Sequence, residues 1–565
     1  MGDTKNTFDA IVIGSGMSGG WAAKEFCEKG LKTLLLERGR DVEHLKDYPT
    51  TNMLPWEFPH RLQVPYAIKK DNPVISRCYA FREDAMHFFV KDQEHPYVQD
   101  KPFDWIRGYQ VGGKSIMWAR QTQRWSDFDF EGPARDGFAV DWPIRYKDLA
   151  PWYSYVEKFA GISGNKDGLE ELPDGEFLPP WELTCAENYF KEFVAKSFKD
   201  RHVIFGRCAH LTTPQPIHIE QGRGQCQARN LCQRGCPFGG YFNANSTTIP
   251  WAKKTGNLTL RPHSVVHSVI FDDVKNKATG VRVVDAKTKE VMEFFAPVIF
   301  VNAGNLNTNL ILLNSVSKRF PNGLGNDNGL LGKYVAFHNY RARISAKYDG
   351  MLDSKTENGR ASGAYIPRFR NLRKQDTDFL RGYATTFSAT RNSFNKPEGV
   401  GEELLDSLNK PPVLGSWNVG SQFMGETIPK ETNYVSLDPT QKDEWGIPLL
   451  KISVGYDEND EKMIKDFFEQ YTEMFTKAGF TDIKTSDSKQ APGLDIHEMG
   501  GVRMGKDPKT SLLNAWNQLH LCPNVFVTDG ACMTSTSTQN PSLTYMALTA
   551  RAANHAAELL KKKEL

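Results

Sequence analysis

The chain has 565 residues, a formal net charge of +2, 39% hydrophobic and 12% aromatic residues. That length supports two or more substructures around large cores, and the apolar content excludes general disorder. The near-neutral charge gives no reason to expect nucleic acid or an anionic membrane as partner, no apolar run is long enough to cross a bilayer, and nine cysteines over this length do not make a disulfide scaffold. The polar stretch Met1–Thr7 leads straight towards the first strand and carries no signal peptide, so any export is expected to depend on a partner.

From Phe8 to Gly20 the sequence reads as a short apolar strand entering a glycine turn; a helix is predicted from Trp21 to Lys29, then a strand Thr33–Leu36 ending in Glu37-Arg38-Gly39. This order is a dinucleotide-binding βαβ fingerprint. Gly14 permits the tight turn, Gly16 lets backbone approach a pyrophosphate, Gly19 lets helix and strand pack closely, and Glu37 lies where a carboxylate accepts hydrogen bonds from ribose hydroxyls. The pyrophosphate is expected at the helix N-terminus, so Met17 and Ser18 join the candidate cofactor residues, with Arg38 beside Glu37.

An aromatic and proline-rich stretch, 41–105, precedes a second glycine segment, Gly108 to Trp118. A strand-like pair flanks Lys287, and Val298–Val301 reads as a buried strand running into Asn302-Ala303-Gly304. Residues from about 330 to 484 mix alternating strands with one amphipathic helix near Asp457–Ala478. The tail returns to glycine-rich chemistry at His497–Gly505, Asp529-Gly530 and Asn540–Thr544. Nucleotide-domain pieces at both chain ends imply an inserted substrate domain. The expected division is 1–45, the first part of the cofactor domain; 46–100, an insertion or cap; 101–330, cofactor domain with inserted segments; 331–490, substrate domain; and 491–565, the C-terminal cofactor part.

Between them lies Cys226-Gln-Ala-Arg-Asn-Leu-Cys232-Gln-Arg-Gly-Cys236-Pro237, a C-x5-C-x3-C-P run. Closely spaced soft thiolates followed by a stiffening proline suit an iron–sulfur cluster. The same three cysteines suit a structural zinc with His210 or Cys208 as fourth ligand, or three free thiols. Cys27, Cys78, Cys185, Cys522 and Cys532 are expected as buried apolar residues, with Cys208 left open.

At these motifs the chain resembles the glucose–methanol–choline family of flavin-dependent alcohol oxidoreductases over nearly its full length. It is most similar to the branch of pyranose oxidases and bacterial sugar dehydrogenase large subunits. The resemblance implies FAD and a mixed α/β and α+β architecture: a Rossmann-like FAD-binding domain with an inserted antiparallel-sheet substrate domain. It assigns Gly14, Gly16, Gly19 and Glu37 to the ADP half, Val266 to the adenine through its backbone, and Gly112, Gly113 and Ser115 to the pyrophosphate and flavin side. Ala303, Gly304, Asp529, Gly530 and Thr544 complete the FAD set. Met117 stands where pyranose oxidases carry a flavin-linked histidine, and a thioether there is expected to pack rather than bond, so the FAD is non-covalent.

The same resemblance aligns His497 with the catalytic histidine and Asn540 with its partner. A neutral imidazole suits removal of a hydroxyl proton, and an amide orients that hydroxyl. It also implies a three-iron, four-sulfur cluster on Cys226, Cys232 and Cys236, which favours a dehydrogenase passing electrons to a cytochrome-type acceptor over an oxidase. Trp417, Asn418 and Gln422 are candidate sugar contacts. The run Lys114–Gln121 resembles glucoside-3-dehydrogenases, which makes carbon 3 of glucosides the first choice, with gluconate, fructose, glucose and oxygen-using pyranose or C-glycoside oxidation as alternatives. A small subunit bearing a twin-arginine signal implies periplasmic co-export; the bare sequence is equally that of a cytoplasmic enzyme. A non-catalytic electron-carrier flavoprotein is the remaining alternative.

Overall fold

The computed structural model of the chain describes residues 6–354, 362–394, 398–410 and 413–565; residues 1–5 of the polar leading segment lie outside them. The strand Ala10–Ile13 is apolar and buried at every position, as a strand covered on both faces must be. Its alternation sends Ile11 and Ile13 into one core and Ala10 and Val12 into another. The strand Val298–Val301 divides in the same way, with Ile299 and Val301 on the first face and Val298 and Phe300 on the second.

These strands belong to a six-stranded sheet ordered Gln518–Leu519, Cys522–Phe526, Val298–Val301, Ala10–Ile13, Thr33–Leu36, Leu258–Arg261. Every pairing is parallel except the one between Gln518–Leu519 and Cys522–Phe526. Helices Met17–Glu28 and Ser542–Lys562 cover one face through Ala22, Ala23, Phe26, Ala552, Ala553 and Ala556. The antiparallel trio Ser264–Asp272, Lys277–Asp285 and Val291–Phe295 packs on the other through Val269, Val281 and Val283. Helix, sheet and sheet are layered around two cores.

The first helix starts at Met17, four residues ahead of the predicted Trp21, because the glycine turn delivers the chain directly into helical geometry. Gly19 makes that turn possible: a Cβ there would stand 1.7 Å from the Gly14 carbonyl oxygen.

A second, antiparallel sheet is ordered Thr481–Asp487, Ala342–Tyr348, Val413–Glu426, Tyr383–Phe394, Ala364–Ile366, Ile204–Phe205, with His338–Asn339 also pairing Val413–Glu426. Helix Glu458–Lys477, close to the predicted Asp457–Ala478, lays Phe467, Tyr471 and Phe475 on Tyr383, Phe387 and Phe423. Aromatic burial on this scale dominates the stability of the layer. Ile204–Phe205 reaches this sheet from within 101–330, so the antiparallel layer is stitched from more than one stretch of chain.

Candidate active site

Where the two sheets meet, one cavity has room for the centres of water molecules amounting to about 300 Å³. Gly14, Gly16, Glu37, Arg38 and Val266 line one part of it; His497, Asn540, Tyr340 and Arg120 line another. The glycine turn shapes its wall. Gly14 has φ +91°, and a Cβ there would lie 2.4 Å from the Asn302 oxygen, whereas a Cβ on Gly16 would meet nothing closer than 4.0 Å and would occupy the cavity itself. Gly16 caps the first helix without any side-chain hydrogen bond, and the first turn has no acidic residue. Its leading N–H groups are therefore left for an anionic ligand.

Glu37 is buried and accepts hydrogen bonds from Ser15 Oγ at 2.6 Å, Ser15 N at 3.2 Å and Gly39 N at 3.0 Å. Burial, partly offset by the bonds from Ser15 and Gly39, raises its carboxyl above the ordinary value. Arg38 lies 4.3 Å above the Tyr109 ring, making a flat wall beside Glu37. Asp529 accepts from Thr308 Oγ1 at 2.5 Å, Gly304 N at 2.9 Å and Ala531 N at 3.0 Å, and burial pushes it up to about 6. Several buried polar atoms of cavity-lining side chains have no protein partner: Arg107 Nε and Nη2, Asn302 Nδ2, Glu498 Oε1 and Tyr545 Oη. Orphans of this kind call for a polar ligand, and a dinucleotide with a heterocyclic head fits the donor set.

Met17, Ser18, Gly113, Ser115, Met117, Ala303, Gly304 and Gly530 also line the cavity. Three residues expected at the cofactor do not. Gly19 and Gly112 act through backbone packing: a Cβ on Gly112 would lie 1.7 Å from Asn245 Oδ1, and the Gly112 N–H donates to Ser15 Oγ at 3.0 Å. Thr544 is buried, with Oγ1 2.8 Å from the Tyr153 hydroxyl.

At the other side, Asn540 Nδ2 donates to His497 Nε2 at 3.1 Å, so the two expected partners are in contact. Burial, together with His338 and Lys114 nearby, holds His497 well below the ordinary imidazole value, leaving a neutral base at physiological pH. Lys114 itself pairs with Glu498 at 3.2 Å. His338, which sequence reading missed, lies with Nδ1 2.9 Å from His497 Nδ1. The Asp495 carboxylate accepts the backbone N–H groups of His338 at 3.0 Å, His497 at 3.2 Å and Gly493 at 3.2 Å; burial pushes it up to about 7. Ligand atoms of His338, Asp495 and His497 lie within 4.8 Å of one another, and these hydrogen bonds account for the grouping without a metal.

The expected sugar contacts require correction. Trp417 is fully buried in the aromatic core, Asn418 is exposed, and Gln422 Nε2 donates to the carbonyls of Tyr340 and Ala342. None of the three lines the cavity, because the strand Val413–Glu426 reaches it only at Met424. Tyr79, Tyr340, Arg120 and Gln121 line it instead.

Cys226, Cys232 and Cys236 are half-buried free thiols around a small separate cavity that His210 and Tyr241 also line. His210 Nε2 lies 3.7 Å from Cys232 Sγ. Among the described residues, no three of these side chains bring their ligand atoms within 4.8 Å of one another, as a single zinc ion demands. An iron–sulfur cluster spreads its thiolates over different irons and fits the wider spacing. Burial pushes Cys226 up to about 11 and also raises Cys236, so the bare site holds protonated thiols, and thiolate ligands would need a cation beside them. Cys208 is buried with its sulfur 3.4 Å from Ser163 Oγ and does not line this cavity. Cys27, Cys78, Cys522 and Cys532 are buried, but Cys185 is only half-buried, at the first turn of helix Cys185–Ser197.

A dinucleotide cradle leading to a paired histidine and asparagine defines a flavin-dependent oxidoreductase acting on CH–OH donors. Residues 8–338 and 429–549 match the two family profiles described as GMC oxidoreductase, and the chain belongs to that family. It is similar to 2-methyl-1,2-propanediol dehydrogenase of Mycolicibacterium austroafricanum, 28% identical over 97% of this chain and 94% of the relative. It is also similar to the fructose dehydrogenase large subunit of Gluconobacter japonicus, at 26% over 97% of each, and to paromamine 6'-oxidase of Streptomyces fradiae, at 26% over 98% and 91%. Formate oxidase from Aspergillus oryzae shares the fold, with a TM-score of 0.59 and 14% identity over 99% of each chain. Among the described residues no helix is long and apolar enough to cross a membrane.

Proposed function

We propose that the chain is an FAD-dependent dehydrogenase that oxidises a secondary hydroxyl of a pyranose or glycoside to a ketone, carbon 3 of glucosides being favoured. The observation that carries the reading is His497 in contact with Asn540 at one wall of a cavity whose opposite wall is a dinucleotide cradle. When bound, FAD supplies the acceptor for hydride. Gly14, Gly16, Glu37, Val266, Gly304 and Asp529 hold it, and Met117 packs beside it without a covalent bond. His497 Nε2 takes the hydroxyl proton while the carbinol hydrogen leaves with its electron pair. Asn540 orients the hydroxyl and stabilises charge on its oxygen. Tyr79, Tyr340, Arg120 and Gln121 supply the rings and hydrogen-bonding groups that a polyhydroxy substrate needs.

In this reading Cys226, Cys232 and Cys236 would hold a [3Fe-4S] cluster, which would supply one-electron transfer towards a cytochrome-type acceptor. The similarity to a fructose dehydrogenase large subunit supports a partner subunit; a twin-arginine signal on that partner and co-export to the periplasm complete the reading. Anaerobic mixing with methyl glucoside, fructose and gluconate, following flavin bleaching, is the test. Bleaching by methyl glucoside, a 3-keto product by NMR, iron and sulfide in the purified protein and substoichiometric peroxide in air are expected. Stoichiometric peroxide overturns the dehydrogenase assignment. A small vicinal diol is the second reading, favoured by the diol dehydrogenase relative, and 2-methyl-1,2-propanediol belongs in the same panel.

A further inference from the structure

His338 has its Nε2 3.1 Å from the Thr536 carbonyl oxygen and 3.0 Å from the Ser537 carbonyl oxygen. Carbonyl oxygens only accept, so Nε2 carries the hydrogen. The imidazole is fully buried, and burial pulls it down to about 4, so it is neutral and its Nδ1 is a bare acceptor. The group facing that nitrogen is His497 Nδ1, at 2.9 Å. His497 Nδ1 must therefore bear the hydrogen, and in the neutral ring this leaves the lone pair on Nε2. From the other side Asn540 Nδ2, which only donates, points at the same Nε2 at 3.1 Å. Two ends of the chain of hydrogen bonds impose one tautomer.

We propose that His338 is a positioning residue that fixes His497 in the Nδ1–H tautomer, presenting Nε2 to the cavity as the base. The proposal rests on the reading of His497 as the residue that removes the hydroxyl proton. In that step the substrate O–H bond breaks and an Nε2–H bond forms, while the carbinol hydrogen and its two electrons pass to the flavin. The proton can go no further inward than His338. His338 already donates to two carbonyls that are not bases, so the imidazolium returns its proton by the cavity. A neutral histidine thus holds the orientation that a carboxylate holds in a serine protease triad, while the Asp495 carboxyl in the same cluster binds the backbone N–H groups of both histidines.

Long-range proton–nitrogen spectra of the FAD-loaded protein labelled with 15N-histidine report the tautomer directly, His497 being identified by its signals' loss in His497→Ala. The expected wild-type pattern is Nδ1–H. An Nε2–H pattern overturns the proposal, whatever the substrate. His338→Phe removes the acceptor, and flavin reduction by methyl glucoside, fructose, gluconate or 2-methyl-1,2-propanediol is expected to fall about 100-fold or more with FAD retained. His338→Gln offers one acceptor and one donor in place of the neutral ring and is expected to reduce at least about tenfold faster than His338→Phe. Equal rates in wild type and His338→Phe, or no advantage of Gln over Phe, overturn the proposal. If His338→Phe does not fold, the wild-type spectrum and the Gln rate decide. Rapid reduction in His497→Ala instead defeats the underlying reading of the base, a result distinct from a wrong tautomer.

Discussion

The Tyr241 hydroxyl donates to the Ile116 carbonyl at 2.5 Å, and the same oxygen lies 3.1 Å from the Cys232 carbonyl. Ile116 precedes Met117 on the cavity wall, so one buried phenol ties the cysteine loop to the cofactor chamber. Tyr241→Phe leaves the Ile116 carbonyl buried without its donor. Urea unfolding is expected to register a loss of about 1–3 kcal/mol, while Cys226, Cys232 and Cys236 stay in place, so that the iron content the proposed cluster brings is unchanged.

His497→Ala removes the proposed base but none of the residues proposed to hold the adenine or pyrophosphate. Flavin reduction is expected to fall by about 10²–10⁴-fold with FAD stoichiometry unaltered. Stopped-flow absorbance during anaerobic mixing measures the first, and the visible spectrum of the purified protein the second.

Gly19→Ala brings a methyl group into the Gly14 carbonyl, where a Cβ stands 1.7 Å from the oxygen. Backbone cannot yield there without moving the strand Ala10–Ile13, so the variant is expected to be recovered without FAD or not at all. The ratio of visible to ultraviolet absorbance checks this.

Met117 cannot form the flavin bond that a histidine makes. Acid precipitation of the holoprotein is expected to leave all of the yellow colour in the supernatant, with none on the pellet after proteolysis. Colour retained by peptides defeats the non-covalent assignment.

Asp460, buried in the first turn of helix Glu458–Lys477, is pushed up to about 7 by burial; its Oδ2 accepts from Asp457 N at 3.0 Å, while Oδ1 has no partner. Its folded value lies above the unfolded value of roughly 3.9, so its contribution is fully present below about pH 4 and is lost as pH rises through about 7. Asp460→Asn does not titrate. The wild-type stability minus that of the variant is expected to fall between about pH 4 and 7, by at most ~1.4 kcal/mol per pH unit. Urea unfolding of both proteins across that range is the measurement.

Local chemistry made the cofactor half readable. Gly14, Gly16 and Glu37 sit within one βαβ unit, and their spacing alone specifies a turn, an approach and a hydrogen-bonding carboxylate. His497 and Asn540 were legible for a similar reason, each inside a short motif. His338 was not, since it is separated from His497 by 159 positions and nothing in Phe337-His338-Asn339 marks it; only the closing of two layers brings the rings together. Trp417 failed in the opposite sense. An aromatic on a strand looks the same whether it stacks on a sugar or packs in a core, and the alternation along Val413–Glu426 puts Trp417 on the same buried face as Val419 and Phe423. Cys185 was read as core from its residue type, while its place at a helix start leaves it half-buried.

The parallel sheet takes strands from Ala10–Ile13 and from Cys522–Phe526, with Val298–Val301 between them. The pyrophosphate turn and Asp529, the clamp on Gly304, therefore stand some 500 residues apart along the chain. Faces of the first strands are buried by a helix more than 500 residues further on, and contacts of such long sequence separation make folding slow and leave apolar surface open to non-native association meanwhile.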